Sequence, residues 1–316
     1  MTANAYSADY DEARIKRHIE ELKDKKTANQ ARSNLTTIGQ NAVPALIVVA
    51  EDVKEKTGVR LLAISAIMEI KDPSASAAMI GLLKDNDVKI RRASAKTLGI
   101  LKSKQAVQPL IDVMKDYDSE VRFNSVRSLQ EIGDPTIGDV YISLLKDIDT
   151  RIRTFSVIAL GKMKNAGAVN ELSEITKDPD ANVRAELAKS FGEIAEKNCI
   201  PVLKYLAESD PDANVRKEAI INISKINDPQ VTDVLMGIAQ SGHKDFRYQA
   251  VLGLGKILDP KTTPLLKELL KDESVQVRIA AAKALAAMGT DEAKEALKTV
   301  IDDESSKVRQ TARNAL

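Results

Sequence analysis

The chain has 316 residues, 43% hydrophobic but only 3% aromatic and without Trp, and its 47 Lys and Arg against 46 Asp and Glu leave a net charge of +1. That composition can build a continuous aliphatic core and argues against whole-molecule attraction to nucleic acid or to an anionic membrane. One Cys cannot form an internal disulfide, the N-terminus shows no apolar signal region, and the longest apolar run, Ala42–Ala50, contains Pro44 and is too short for a bilayer; a cytoplasmic protein with no membrane insertion is expected.

The first predicted element is a highly charged helix over about 9–25, with a thin apolar stripe of Ile15, Ile19 and Leu22, and it reads as an N-terminal cap. After it an apolar residue followed by arginine recurs at Arg60, Arg91, Arg122, Arg153, Arg184, Arg216, Arg247, Arg278 and Arg309. Every interval among these nine is 31 residues except the 32 from Arg184 to Arg216, and Arg32, 28 residues before Arg60, is assigned to the same series. A fixed period of this size means a stacked array, in which each unit buries its apolar face against its neighbours. Residues 1–316 therefore read as one array of about ten units with no linker.

Each unit contains two apolar stripes at helical spacing. In the repeats around Arg91, helix A runs through Ala106, Leu110, Val113 and Met114, and helix B through Ile90, Ser94, Ala95, Leu98 and Leu101. No alternating stretch suggests a strand. Asp-Pro opens helix A at Asp72, Asp134, Asp228 and Asp259. Four residues before the arginine, Asp87, Asp118, Asp149, Asp180, Asp212, Ser274 or Ser305 is placed to cap helix B. Seven residues after it stands a large apolar residue, often followed by a glycine (Gly99, Gly161, Gly192, Gly255), whose recurrence in a helix implies close approach of a neighbour. At the other end the pattern stops at Leu316 in mid-repeat, so Val308 and Leu316 are expected to be partly exposed, which would allow end-to-end self-contact.

The unit resembles a HEAT repeat, of the short HEAT-like type first associated with phycobilisome lyases. The residues that carry the likeness are Asp85-Asn86-Asp87-Val88-Lys89-Ile90-Arg91 followed by Leu98-Gly99-Ile100-Leu101, and again Asp147 to Arg153 followed by Leu160-Gly161. The resemblance implies an all-α, right-handed α-solenoid of about ten helical hairpins with helix B on the concave side. It also implies a polar ladder between successive repeats, made by an Asp six residues before each Arg: Asp85 with Arg91, Asp116 with Arg122, Asp147 with Arg153, Asp178 with Arg184, and Asp210 with Arg216, then Asp272 and Asp303. Lys54 and Ser241 replace that Asp before Arg60 and Arg247, and the same two repeats have Lys56 and His243 at the cap position. Interrupted ladder contacts and a local bend are expected there.

Chemistry-bearing residues are few. Cys199 occupies a helix A position that is usually small and apolar, so it reads as a buried structural thiol. His18 and His243 belong to no metal-binding spacing, and phosphate loops and nucleophile elbows are missing. No catalysis, cofactor or metal is expected. Helix B positions facing outward carry nine basic residues (Arg92, Lys96, Arg127, Lys162, Lys189, Lys217, Lys225, Lys256, Lys283) and five acids (Glu69, Glu131, Glu186, Glu193, Glu218), a mixed surface rather than a duplex groove. The same face carries Leu61, Leu62, Phe123, Phe155, Ile158, Ile221, Tyr248, Leu252 and Ile279, which suit anchors for a protein or peptide partner. The expected function is a non-catalytic interaction scaffold or adaptor. The alternatives are a bilin-lyase-like chaperone subunit, which the resemblance suggests, and a nucleic-acid-binding protein.

Overall fold

The computed structural model describes residues 2–241 and 243–316, and side chains from Asp11 onward except those of Pro135 and Ser241. The fold is all-α: among the described residues there is no strand, and helical hairpins of right-handed solenoid type repeat along the chain. The chain divides into two compact units, residues 1–140 and 141–316.

The first unit opens with the helix Thr2–Glu21; among its described side chains Ile15 and His18 are buried, as is Leu22 just after it, whereas Ile19, expected in the same stripe, is only half-buried. His18 lies on this charged helix but is 3% exposed, and its Nδ1 lies 2.6 Å from Glu21 Oε2. The unit's later second helices are Ala28–Ile38, Thr57–Ile70, Val88–Ile100 and Ser119–Ile132. In the second unit they are Thr150–Lys162, Ala181–Ile194, Ala213–Ile223, Lys244–Ile257, Val275–Met288 and Ser306–Ala315.

The periodic apolar residues form the core. Ile67, Leu98, Leu129, Leu160, Phe191, Ile223, Leu254 and Leu285 are all buried, each burial being worth about 1.5–3 kcal/mol relative to exposure. The glycine that follows lets the next second helix come close. A Cβ on Gly99 would lie 2.7 Å from the Ser128 backbone, and one on Gly161 would lie 2.8 Å from that of Ser190. The same serines tie the helices together: Ser128 Oγ donates to the Ala95 carbonyl at 2.7 Å, and Ser190 Oγ to that of Val157 at 2.9 Å.

The caps depart from expectation in part. Asp87, Asp118, Asp149, Asp180 and Asp212 accept hydrogen bonds from the first turn of their helices. Ser274 and Ser305 make no side-chain cap; their own N–H groups donate to the ladder residues Asp272 and Asp303 at 2.8 Å. The Asp-Pro corners at Asp72, Asp134 and Asp259 cap a short 3-10 turn, from which the helix A proper continues. At the chain's last repeat, Val308 is fully buried, contrary to expectation, because it occupies the same inward position as Val277; Leu316 is 52% exposed.

Candidate functional site

Three features of the surface compete as candidate sites: the ladder edge, the helix B face, and the corners between the two helices of each repeat. On the ladder edge, the arginine one residue after the buried apolar position reaches in two directions. Arg91 Nη1 donates to the Asp85 carbonyl of its own repeat at 2.9 Å, while Nε and Nη2 donate side-on to the Asp116 carboxylate at 2.7 and 3.1 Å. Arg153 grips Asp178, Arg184 grips Asp210, Arg247 grips Asp272 and Arg278 grips Asp303 through the same atoms, all between 2.7 and 3.2 Å. Arg60 pairs with Asp85 through its terminal nitrogens and sends Nε to the Ala50 carbonyl at 2.8 Å. Arg122 Nη1 donates to the Asp116 carbonyl at 3.0 Å, and Asp147 accepts from the Asp149 N–H at 2.7 Å.

These pairs are nearly buried: Arg184 and Asp210 side chains are 9% and 2% exposed. Every ladder carboxylate also takes a backbone N–H two residues on, as Asp210 does from Asp212 at 2.9 Å, so desolvation is offset by several charge-assisted bonds. Hydrogen bonding to Asp116 and Asp210 raises the Arg91 and Arg184 guanidinium pKa values above the ordinary range. With its members committed to one another, the ladder is a stacking device.

The ladder has two gaps. Arg32, which precedes the Lys54 repeat, pairs instead with Glu69 on the next second helix. Arg216, which precedes the Ser241 repeat, keeps its bonds to the Asp210 and Pro211 carbonyls, the latter at 3.1 Å, but finds no carboxylate among the described residues. Its guanidinium carbon sits 4.9 Å from the centre of the Phe246 ring. The side chain of Ser241 lies outside the described residues. The His243 position does cap: its Nδ1 accepts from the Asp245 N–H, at a long 3.5 Å, whereas Lys56 makes no such bond.

The helix B face is less open than the sequence suggests. Leu61, Leu62 and Phe123 in the first unit, and Phe155, Ile158, Ile221, Tyr248 and Leu252 in the second, are all half-buried. Ile279 does not belong with them: it is 8% exposed and part of the core, packed among the alanines of Val275–Met288. Several of the face's cations are neutralised locally, Arg92 by Asp118, Lys189 by Glu186 at 2.8 Å and Lys225 by Glu193 at 3.2 Å.

Two depressions lie within the second unit. One, of about 880 Å³, crosses the N-terminal ends of three successive second helices, with Arg216 and Lys217 from the first, Phe246, Tyr248 and Gln249 from the next, and Ser274 and Gln276 from the third. Tyr248 is the member of the expected partner surface that it contains. The other, of about 680 Å³, lies at the corners and is lined by Ile142, Leu145, Ile148, Ile175 and Pro179, with Lys146, Lys177, Glu171 and Glu174 around it. Ile148 there is 90% exposed, and Tyr117, at the same position of an earlier repeat, is 82% exposed. The sequence reading passed over this position, although an apolar residue directly after the ladder Asp, where other repeats have Asn86, Glu273 or Glu304, is a visible signal.

Cys199 is fully buried and burial pushes its thiol up to about 11, so little thiolate forms near neutral pH. Among the described residues no cluster of three or more His, Cys, Asp or Glu could hold a metal ion, and no helix is long and apolar enough to cross a membrane.

Comparison with known proteins gives a consistent fold. A family model described as HEAT repeats matches residues 43–122, 109–179, 169–247 and 237–316; the match is to HEAT repeats in general and does not single out the phycobilisome-lyase type. The crystal structure of an engineered protein is similar, at 19% identity over 96% of this chain and 98% of that one, with a TM-score of 0.54. A structure of human deoxyhypusine hydroxylase in complex with glycerol is 20% identical over 86% of this chain and 94% of that one, but at a TM-score of 0.36 it carries no argument. A search of curated proteins finds no match.

Proposed function

We propose, from the premise that this chain belongs to the HEAT-repeat family, that it is a non-catalytic scaffold or adaptor that binds a protein or peptide along its helix B face. The observation that carries this reading is the depression across the ends of three successive second helices, where Tyr248 and Phe246 offer aromatic surface beside hydrogen-bonding Gln249 and Gln276. An extended ligand can lie across successive repeats there, with aromatic anchors at its centre and polar groups around them. A groove between repeats suits a chain segment better than a small molecule, because its floor is made of helix ends and not of convergent reactive groups.

No specific geometry favours the other two readings. The cations paired to Asp118, Glu186 and Glu193 lower the field that a phosphate backbone would meet on helix B. A bilin-lyase-like chaperone role has no residue constellation behind it.

The test is capture from native lysate by the full chain, by a Tyr248→Glu variant, and by a Leu61→Glu, Phe123→Glu, Phe155→Glu triple variant, each verified as folded by circular dichroism. A protein that is retained by the unmodified chain and released by either variant places the working surface on helix B. Equal retention by all three moves the site to the corners around Ile148 and Tyr117.

A further inference from the structure

The ladder gap at Arg216 has the form of a carboxylate socket. In the second unit, Arg153, Arg184, Arg247 and Arg278 all present an Nε and Nη2 edge that holds a carboxylate side-on, while Nη1 is anchored to carbonyls for Arg153, Arg184 and Arg278. Arg216 retains that anchor, through the Asp210 and Pro211 carbonyls. The guanidinium is therefore held as in a closed rung, but the series position of its carboxylate belongs to Ser241. Its Nε and Nη2 edge is free of any carboxylate among the described residues, its guanidinium carbon lies 4.9 Å from the centre of the Phe246 ring, and Arg216 lines the groove, whose charged lining is Arg216, Lys217 and Lys244 against Asp245, together with His243.

We propose that the free edge of Arg216 is the docking point for a Glu or Asp carboxylate of an acidic peptide segment, which completes the ladder in trans. The proposal deepens the scaffold reading and rests on it, since it names the chemistry of the partner that the helix B groove takes. A carboxylate matches the planar fork as it does in the intact rungs, Lys217 and Lys244 attract neighbouring acids of the same segment, and Phe246 and Tyr248 give its aliphatic stems a surface. Ordinary ladder variation does not require such surroundings: the gap after Arg32 is closed within the chain by Glu69.

The experiment is fluorescence anisotropy of the full chain with a labelled poly-Glu peptide, with a poly-Gln peptide as the neutral control. The expected result is binding of poly-Glu over poly-Gln, weakened about tenfold or more in Arg216→Gln, as for loss of one partner of a charge-assisted pair. Ser241→Asp keeps Arg216 in place and supplies the carboxylate from within the chain, so it is expected to compete with the peptide, weaken binding similarly and raise the thermal midpoint. Arg309→Gln, whose guanidinium has the same carbonyl anchor but does not line the groove with its aromatic and basic neighbours, is expected to leave binding unchanged; a loss equal to that of Arg216→Gln would overturn the role given to the groove. Equal affinity for the two peptides, or undiminished binding by both Arg216→Gln and Ser241→Asp, would overturn the proposal. Displacement of the peptide by inorganic phosphate at concentrations where acetate has no effect would reassign the socket to phosphate and overturn the carboxylate assignment. Failure of the unmodified chain to bind poly-Glu would remove the socket while leaving capture through Tyr248 to stand on its own test.

Discussion

The two gaps in the ladder begin from the same loss and end differently. Before Arg60 the ladder Asp is Lys54, and the stranded Arg32 turns to Glu69, a carboxylate on the neighbouring helix. Before Arg247 the ladder Asp is Ser241, and the stranded Arg216 settles against the Phe246 ring, with carbonyls on one side and an open groove on the other. A guanidinium withdrawn from a rung still needs a negative partner or a polarisable surface. The first gap meets that need inside the array and is structurally complete. The second meets it only in part, which is why the groove beside Arg216, and not the loss of an Asp as such, is the place we propose for a partner.

What a closed rung is worth sets the scale for both gaps. Asp210→Ala is expected to have the largest effect, a destabilisation of about 3–5 kcal/mol in urea unfolding, because it strands the buried Arg184 guanidinium. It also removes the acceptor for the Asp212 N–H. A loss under about 1 kcal/mol would mean that the rungs behave as surface pairs, and the contrast between closed rung and gap would then have no energetic content.

Filling the gaps separates them directly. Ser241→Asp is expected to raise the unfolding midpoint, with a gain of about 1 kcal/mol, because it gives Arg216 the charge-assisted bonds that Arg184 already has. Lys54→Asp is expected to gain nothing measurable, since Arg32 already holds Glu69. Equal gains would show that the two gaps are energetically alike. Phe246→Leu then removes the ring from Arg216 and is expected to cost about 0.5–1 kcal/mol beyond its effect on packing, the typical value of a partly exposed cation–π contact. The excess should disappear when Phe246→Leu is made in the Arg216→Gln background, a double-mutant cycle that isolates the pair.

The parts of this molecule that were legible in the sequence are those fixed by the period. The 31-residue spacing and the residue seven after each arginine depend on one repeat packed against identical neighbours, so any one unit predicts the next. The glycine inference held for the same reason: Gly99 faces Ser128 as Gly161 faces Ser190. Properties that depend on the particular neighbour were not legible. Leu61, Phe123, Tyr248 and Ile279 share a periodic position, yet the first three are half-covered by whatever the adjacent helix supplies, and Ile279 is covered almost entirely. Val308 was judged by its place near the end of the chain when its inward phase decided its burial. Ser274 and Ser305 looked like caps, but unlike the aspartates at the same position they make no side-chain bond to the first turn, although the ladder Asp two residues earlier holds the N–H in both groups. The socket at Arg216 was half visible, because the missing Asp could be read at Ser241, whereas the ring that receives the guanidinium required coordinates.

Acid distinguishes closed from open sites, because a closed site has a carboxylate to lose. In the first unit Asp118 is held down at about 2 chiefly by its hydrogen bond from Arg92, working against burial, which pushes it up, and aided by the Val121 N–H. A folded value below the ordinary 3.8 means that the unfolded chain takes up the proton first, so the pair's contribution is complete above 3.8 and is lost as pH falls from there through about 2. Arg92 is 40% exposed, and solvent screening limits the contribution to about 1 kcal/mol or less. The unmodified chain and Arg92→Gln should therefore differ slightly in unfolding free energy at neutral pH and converge across that acid window, while Asp118 continues to cap its helix in both. A difference that persists below the window would mean that Arg92 acts through packing and not through the carboxylate. Arg216→Gln provides the opposite case. With no carboxylate among the described residues facing its free edge, its difference from the unmodified chain should not converge through the titration of a bound partner in that range. In Ser241→Asp, where a carboxylate has been supplied, the stability gain should vanish on acidification just as the Arg92 pair's contribution does.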